Sequence, residues 1–191
     1  DARVKRLLEE MIAVFRQIDF VGASMQTHAS LSAARGILRF YESTGDESFL
    51  RTAEELFALY CREGMTENYA NDNWFDRPEP CAVIDSYMLA SGFFDNTGDS
   101  RYLLIAQRIF YNAMVFAQRS NGGFGCDNCV GAQEPFVHPK EEYFEAYWCC
   151  TMRGGEGLAR AAENMLRTDA DTLYILRPGD ADIELDGQRI R

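Results

Sequence analysis

Residues 43–57 read "STGDESFLRTAEELF" and residues 96–110 read "NTGDSRYLLIAQRIF". Aligned at an offset of 53 residues, Thr44, Gly45, Asp46 and Leu50 fall on Thr97, Gly98, Asp99 and Leu103. A glycine ending a helix takes the left-handed conformation at no steric cost. An aspartate just after it can accept from the free N–H groups that open the next helix. The Thr-Gly-Asp triplet therefore predicts a tight turn between two helices, and its recurrence predicts the same hairpin twice. Hairpins of this kind stack into an α/α solenoid or close into an α/α toroid.

Working outward from the turns, apolar spacing predicts six helices. Val4, Leu7, Leu8, Met11, Ile12, Phe15 and Ile18 mark the first. The others are expected over about 29–43, 47–62, 82–94, 100–118 and 150–166. A long stretch with Gly, Asn and Pro, about 120–142, separates the last two, and loops of that length in compact domains are functional or disordered. Leu173, Tyr174 and Ile175 then read as strand, with turn signals at Pro178-Gly179 and Asp186-Gly187. The expected architecture is mainly α: helical hairpins over 1–168, then the start of a β segment over 169–191. The 53-residue offset also carries His28 onto Cys81, which places both before the first helix of a hairpin and at the same end of the stack.

The 191 residues carry a formal net charge of −11, with 47% hydrophobic and 26% charged residues. That balance suits a globular domain with a core and argues against nucleic acid or an anionic membrane as partner. No apolar run approaches the length of a membrane span. The N-terminal stretch is charged and amphipathic, not a signal peptide, and starts without Met, as a processed chain or a fragment would. Six cysteines are present: Cys61, Cys81, Cys126, Cys129, Cys149 and Cys150. Their clustering favours metal ligation over a disulfide framework, and with it a reducing, cytoplasmic compartment.

Glu79-Pro80-Cys81 stands before the fourth predicted helix and Cys149-Cys150 before the sixth. One carboxylate and three thiolates make a tetrahedral Zn²⁺ set. Cys126 and Cys129, paired with Cys149 and Cys150, make a rival four-cysteine structural site, and spacing alone does not choose between them. Glu67, Asp72, Asp76 and Glu79 crowd the stretch "TENYANDNWFDRPEP" at 66–80. Its aromatics Tyr69, Trp74 and Phe75 offer flat apolar faces on which a sugar ring can stack.

"EPCAVIDSYML" (79–89), "GDSRYLLIAQRIFYNAM" (98–114) and "YWCCTMRGGEGLARAAENM" (147–165) together resemble the β-L-arabinofuranosidase family, glycoside hydrolase family 127 and its relatives. The resemblance spans about 25–175. It implies an (α/α)6 barrel followed by β-sandwich domains. It also implies Zn²⁺ held by Glu79, Cys81, Cys149 and Cys150, and a retaining glycosidase in which Cys149 is the nucleophile. Glu67, in "TENYA", matches the upstream acid/base glutamate, with Glu63 a second candidate. His28, in "QTHASLSAARG", resembles a histidine that contacts the sugar. Three thiolates and a carboxylate around one divalent cation leave an excess of negative charge, for which Arg153 or the N–H groups opening the sixth helix are the nearest compensation.

These readings converge on a zinc-dependent cysteine glycosidase for small, β-L-arabinofuranoside-like sugars, or a part of one. Pro80 and the residues after Cys150 depart from the family pattern, which leaves the sugar and its linkage open. Six helices are expected where a closed barrel needs twelve, so a second half-barrel or a partner copy is implied. The alternative is a non-catalytic helical binding or scaffold domain with a structural zinc. A sugar-epimerase type of isomerase ranks below both, since such sites use several histidines and only His28 and His138 are present.

Overall fold

The computed structural model describes residues 1–71, 79–118, 122–125, 149–169, 172–177, 182–185 and 187–190. Among them six α-helices form the body: α1 (Ala2–Phe15), α2 (Thr27–Thr44), α3 (Glu47–Glu63), α4 (Pro80–Thr97), α5 (Ser100–Ile109) and α6 (Cys149–Glu163). Helix α2 packs on α3 and on α4, and α4 also packs on α5 and α6. This is a partial α/α barrel with α4 at its centre. Between Pro80 and Phe94, α4 carries one charged residue, Asp85, and nearly every position is buried. A helix that is apolar all round is a core helix, and α4 is enclosed accordingly.

The two Thr-Gly-Asp turns are built alike. Gly45 and Gly98 cap α2 and α4 in the left-handed conformation, with φ of 71° and 68°. Asp46 and Asp99 then accept from the backbone N–H groups of Ser48 and Arg101 at 2.9 Å each. Thr44 and Thr97 hydroxyls both donate back to the carbonyl four residues earlier, Phe40 and Phe93, at 2.7 Å. Equal local sequence has produced equal local structure, as cap chemistry requires.

Several boundaries differ from the sequence expectation. Helix α4 begins at Pro80, because proline suits a first helical position, so Cys81 lies inside the first turn instead of before it. His28 and the Cys149-Cys150 pair are likewise inside α2 and α6. The fifth helix is not one α-helix to 118: after Ile109 it widens into a π turn (Phe110–Met114) and tightens into a 3₁₀ turn (Val115–Ala117). Helix α6 stops at Glu163, and Leu166 opens a strand that the sequence reading had placed in the helix.

That strand, β1 (Leu166–Asp169), pairs antiparallel with β2 (Thr172–Ile175). A second hairpin joins β3 (Ile183–Leu185) to β4 (Gln188–Ile190), with Gly187 at φ 75° in its turn. The first hairpin is tied to the helices. Leu176 is buried, its N–H donates to the Met165 carbonyl at 2.9 Å, and its carbonyl accepts from Gln107 at 3.0 Å. Arg177 lies over the Phe110 ring at 4.5 Å and donates to the Tyr87 hydroxyl at 3.0 Å.

Candidate active site

The first turns of α2, α4 and α6 converge, and each brings one side chain with metal-binding chemistry. His28 is the second residue of α2, Cys81 the second of α4, and Cys149 the first of α6. One ligand atom from each lies within 4.8 Å of the other two. The Cys81 sulfur is 3.3 Å from that of Cys149 and 3.6 Å from that of Cys150. Sulfurs on a tetrahedral zinc with bonds of about 2.3 Å stand about 3.8 Å apart. The thiol cluster therefore fits a metal with small adjustment. Helix N-termini also present partial positive charge, which eases the gathering of anionic ligands.

The three cysteines are not equivalent. Cys81 and Cys150 are buried, whereas Cys149 is exposed. Hydrogen bonding to Cys150 and burial push the Cys81 thiol up, and burial pushes Cys149 up. Left to themselves these thiols keep their protons, so thiolate chemistry here calls for a cation. Glu79 caps the entry to α4, with its N–H donating to Asn71 at 3.0 Å and both carboxylate oxygens 3.3 Å from the Gln26 amide. Burial pushes its carboxyl up to about 7, and it feels the charges of His28 and Cys150. Gln26 and Glu79 are again 53 residues apart, as are His28 and Cys81.

A polar network that the sequence reading did not contain lies behind this cluster. Asp85, one helical turn beyond Cys81, is wholly buried. Its Oδ2 is 2.5 Å from His28 Nδ1 and accepts from the Ser32 hydroxyl at 3.0 Å. Its Oδ1 accepts from Arg35 at 2.6 Å. Arg35 also donates to Glu156 at 2.9 Å, Glu156 pairs with Arg153, and Arg153 donates to Ser32 at 2.9 Å, which closes the circuit. Burial alone would raise the Asp85 carboxyl, but hydrogen bonds from His28 and Arg35 outweigh it and hold it below its ordinary value. The same bond holds His28 above its own. Two signals pointed to Asp85: it is the one charge in the apolar run 80–94, and the 53-residue offset carries Ser32 onto it.

An open pocket of about 490 Å³ is walled by His28, Cys149, Met152, Arg153 and Glu156. The expected compensating cation, Arg153, thus stands in the wall beside Cys149. The remaining candidates lie elsewhere or are engaged. Glu67 is exposed on the turn after α3 and is not among the described residues of that wall. Glu63 ends α3 and pairs with Arg62 at 2.7 Å. Tyr69 has a positive φ of 66°, its hydroxyl accepts from Arg108, and the Arg108 guanidinium covers its ring at 5.3 Å. Trp74, Phe75, Cys126, Cys129 and His138 lie outside the described residues.

A family model described as "Beta-L-arabinofuranosidase, GH127 catalytic domain" matches residues 23–163. A comparison with curated proteins returns no match. The matched region starts just before α2 and ends with α6, so it contains the three converging helix ends and the pocket between them. Over that region, which is most of its length, the chain belongs to the β-L-arabinofuranosidase family as a glycoside hydrolase family 127 catalytic domain.

Proposed function

We propose that this chain supplies the catalytic cysteine of a retaining glycosidase that acts on β-L-arabinofuranoside-like sugars. The observation that carries the reading is the pairing of one exposed cysteine, Cys149, with two buried ones, Cys81 and Cys150, at the edge of an open pocket. The buried pair acts as anchors and the exposed one as the group a substrate can reach.

Glu79, Cys81, Cys149 and Cys150 are the residues that would hold the metal, with His28 close enough to compete for one position. Zn²⁺, when bound, supplies the positive charge that favours thiolate over thiol. The Cys149 thiolate attacks the anomeric carbon, the bond to the leaving oxygen breaks, and the sugar is held as a thioglycoside. Glu67, as the carboxyl assigned to proton transfer, protonates the leaving oxygen. It then takes a proton from water, whose oxygen bonds to the anomeric carbon as the carbon–sulfur bond breaks, so Cys149 leaves as thiolate and the sugar is released with its original configuration. His28 and Arg153 face the pocket and bind sugar hydroxyls. Trp74 and Tyr69 are assigned to stacking on the ring.

The test is covalent trapping. A sugar-shaped, cysteine-directed electrophile, followed by peptide mapping, should label Cys149. Label on Cys81 or Cys126, or none while zinc is bound, sinks the assignment and leaves a helical binding domain with a structural metal. Glu67→Gln should slow hydrolysis and regain rate with added azide, and Glu63→Gln tests the rival proton donor in the same way.

A further inference from the structure

Asp85 sits where no reaction step needs a carboxylate, yet three donors point at it. A buried charge is costly unless its bonds are complete, and here they are. Each oxygen has a defined duty. Oδ1 takes Arg35 at 2.6 Å, and arginine can only donate. Oδ2 takes the Ser32 hydroxyl at 3.0 Å, which donates because an ionised carboxylate oxygen can only accept, while the same hydroxyl accepts from Arg153 at 2.9 Å. Oδ2 also lies 2.5 Å from His28 Nδ1, and facing an oxygen that can only accept, that nitrogen carries the proton. With Nδ1 taken, Nε2 is the nitrogen left to meet the pocket that His28 lines.

Resting on the proposed glycosidase reading, we infer that Asp85 is a positioning residue that fixes the tautomer of His28. It holds the proton on Nδ1 and presents Nε2 to the pocket as an acceptor for a sugar hydroxyl. Arg35, Ser32, Arg153 and Glu156 make the arrangement self-consistent, since a bare Nδ1 would leave an acceptor facing the Asp85 acceptor. The logic is that of a carboxylate that orients an imidazole, transferred from proton transfer to substrate recognition.

Asp85→Asn is the informative substitution, because its outcome follows from the same bookkeeping. The amide oxygen must stay on Arg35, so the amide nitrogen takes the place of Oδ2. It then donates to His28 Nδ1 and to Ser32, and the imidazole proton moves to Nε2. The ring keeps its position but offers the pocket a donor where it offered an acceptor.

The experiment is nitrogen-15 long-range correlation NMR of the full chain at a pH where the imidazole is neutral, with His138→Gln to leave one histidine signal. The wild-type chain should show a protonated Nδ1 and a bare Nε2, and Asp85→Asn should show the reverse. With p-nitrophenyl β-L-arabinofuranoside as probe, kcat/KM should fall about 10- to 100-fold in Asp85→Asn. A wild-type signal with the proton on Nε2 overturns the inference and needs no variant to fold. So does an unchanged tautomer in a folded Asp85→Asn chain, an inverted tautomer with unchanged kcat/KM, or metal coupling to Nε2 in cadmium-loaded protein. Correct tautomers in a chain that hydrolyses nothing support the assignment to Asp85 and count against the proposed activity instead.

Discussion

On the proposed reading Cys149 and Asp85 divide the site between reactivity and order, and each can be tested by itself. Alkylation by iodoacetamide should strike Cys149 first among the four described cysteines. Cys81 and Cys150 are buried, and burial pushes the Cys61 thiol up to about 12, so little of it is thiolate. Timed peptide mapping checks the order, and earlier labelling of Cys61 would contradict the burial. Cys149→Ser should lower kcat by about 10⁴-fold or more if that sulfur is the nucleophile, measured by single-turnover kinetics. Asp85→Ala removes the acceptor of a buried network and should cost about 3–5 kcal/mol in denaturant unfolding. The pH dependence follows from the signs. Asp85 lies below 3.8 in the fold, so its contribution is complete above 3.8 and is lost as pH falls through its folded value. His28 lies above 6.5, so its contribution is complete below 6.5 and fades as pH rises through its folded value. The melting-temperature gap between wild type and Asp85→Asn should therefore be widest between about pH 4 and 6.5. Above that range it should shrink without vanishing, because the bond from Arg35 to Asp85 remains. A gap independent of pH would refute the pairing.

At the scale of single elements, the small residues after the cysteine pair have separate duties. A β-carbon on Gly154 would run into the Phe124 ring, and one on Gly157 would come within 2.9 Å of Ile84. Gly155 has open space. These glycines let α6 lie close to α4 and to the Phe124 segment, and so set the height at which Cys149 meets Cys81. Gly154→Ala should destabilise by about 1–3 kcal/mol through overpacking. Gly155→Ala should be neutral or gain up to about 1 kcal/mol, because alanine suits a helix better than glycine. Thermal unfolding of the two variants decides it, and equal effects would mean that helix propensity alone matters. The paired Thr-Gly-Asp turns were legible as sequence because a helix stop and a helix start are local events. The π turn at Phe110–Met114, which packs against α4, was not, since the apolar spacing runs on through it.

At the scale of the whole molecule, two apolar helix faces stand exposed among the described residues. Val4, Leu7, Met11 and Val14 of α1 are all more than half exposed, while Ile12 is buried. Leu104, Tyr111, Val115 and Phe116 form a second open face along α5 and its extension. Of the apolar stripe that marks the first helix, Ile12 is buried and Phe15 and Ile18 pack against the core, whereas Val4, Leu7 and Met11 do not. Leu7→Gln and Met11→Gln should therefore change stability by less than about 0.5 kcal/mol, whereas Ile12→Ala should cost about 2–4 kcal/mol in the same denaturant titration. The metal question belongs to this scale too, because the residues that could hold an ion come from helices far apart in sequence. Chelation should lower the melting temperature, and X-ray absorption of the zinc-loaded chain should count three sulfurs with one lighter ligand. Loss of that lighter ligand in Glu79→Gln supports the expected set, and loss in His28→Gln would replace Glu79 with the histidine.

By itself the sequence determined the hairpins, their turns and the family, because caps, periodicity and short motifs act within a few residues of themselves. The tertiary structure alone decided that Cys149 is the exposed sulfur, that Arg153 stands in the pocket wall, and that Asp85 organises the ring of charges behind His28. Exposure and ion pairing depend on which helix faces meet. Those faces meet across separations of 50 to 121 residues, where no local pattern can specify a partner.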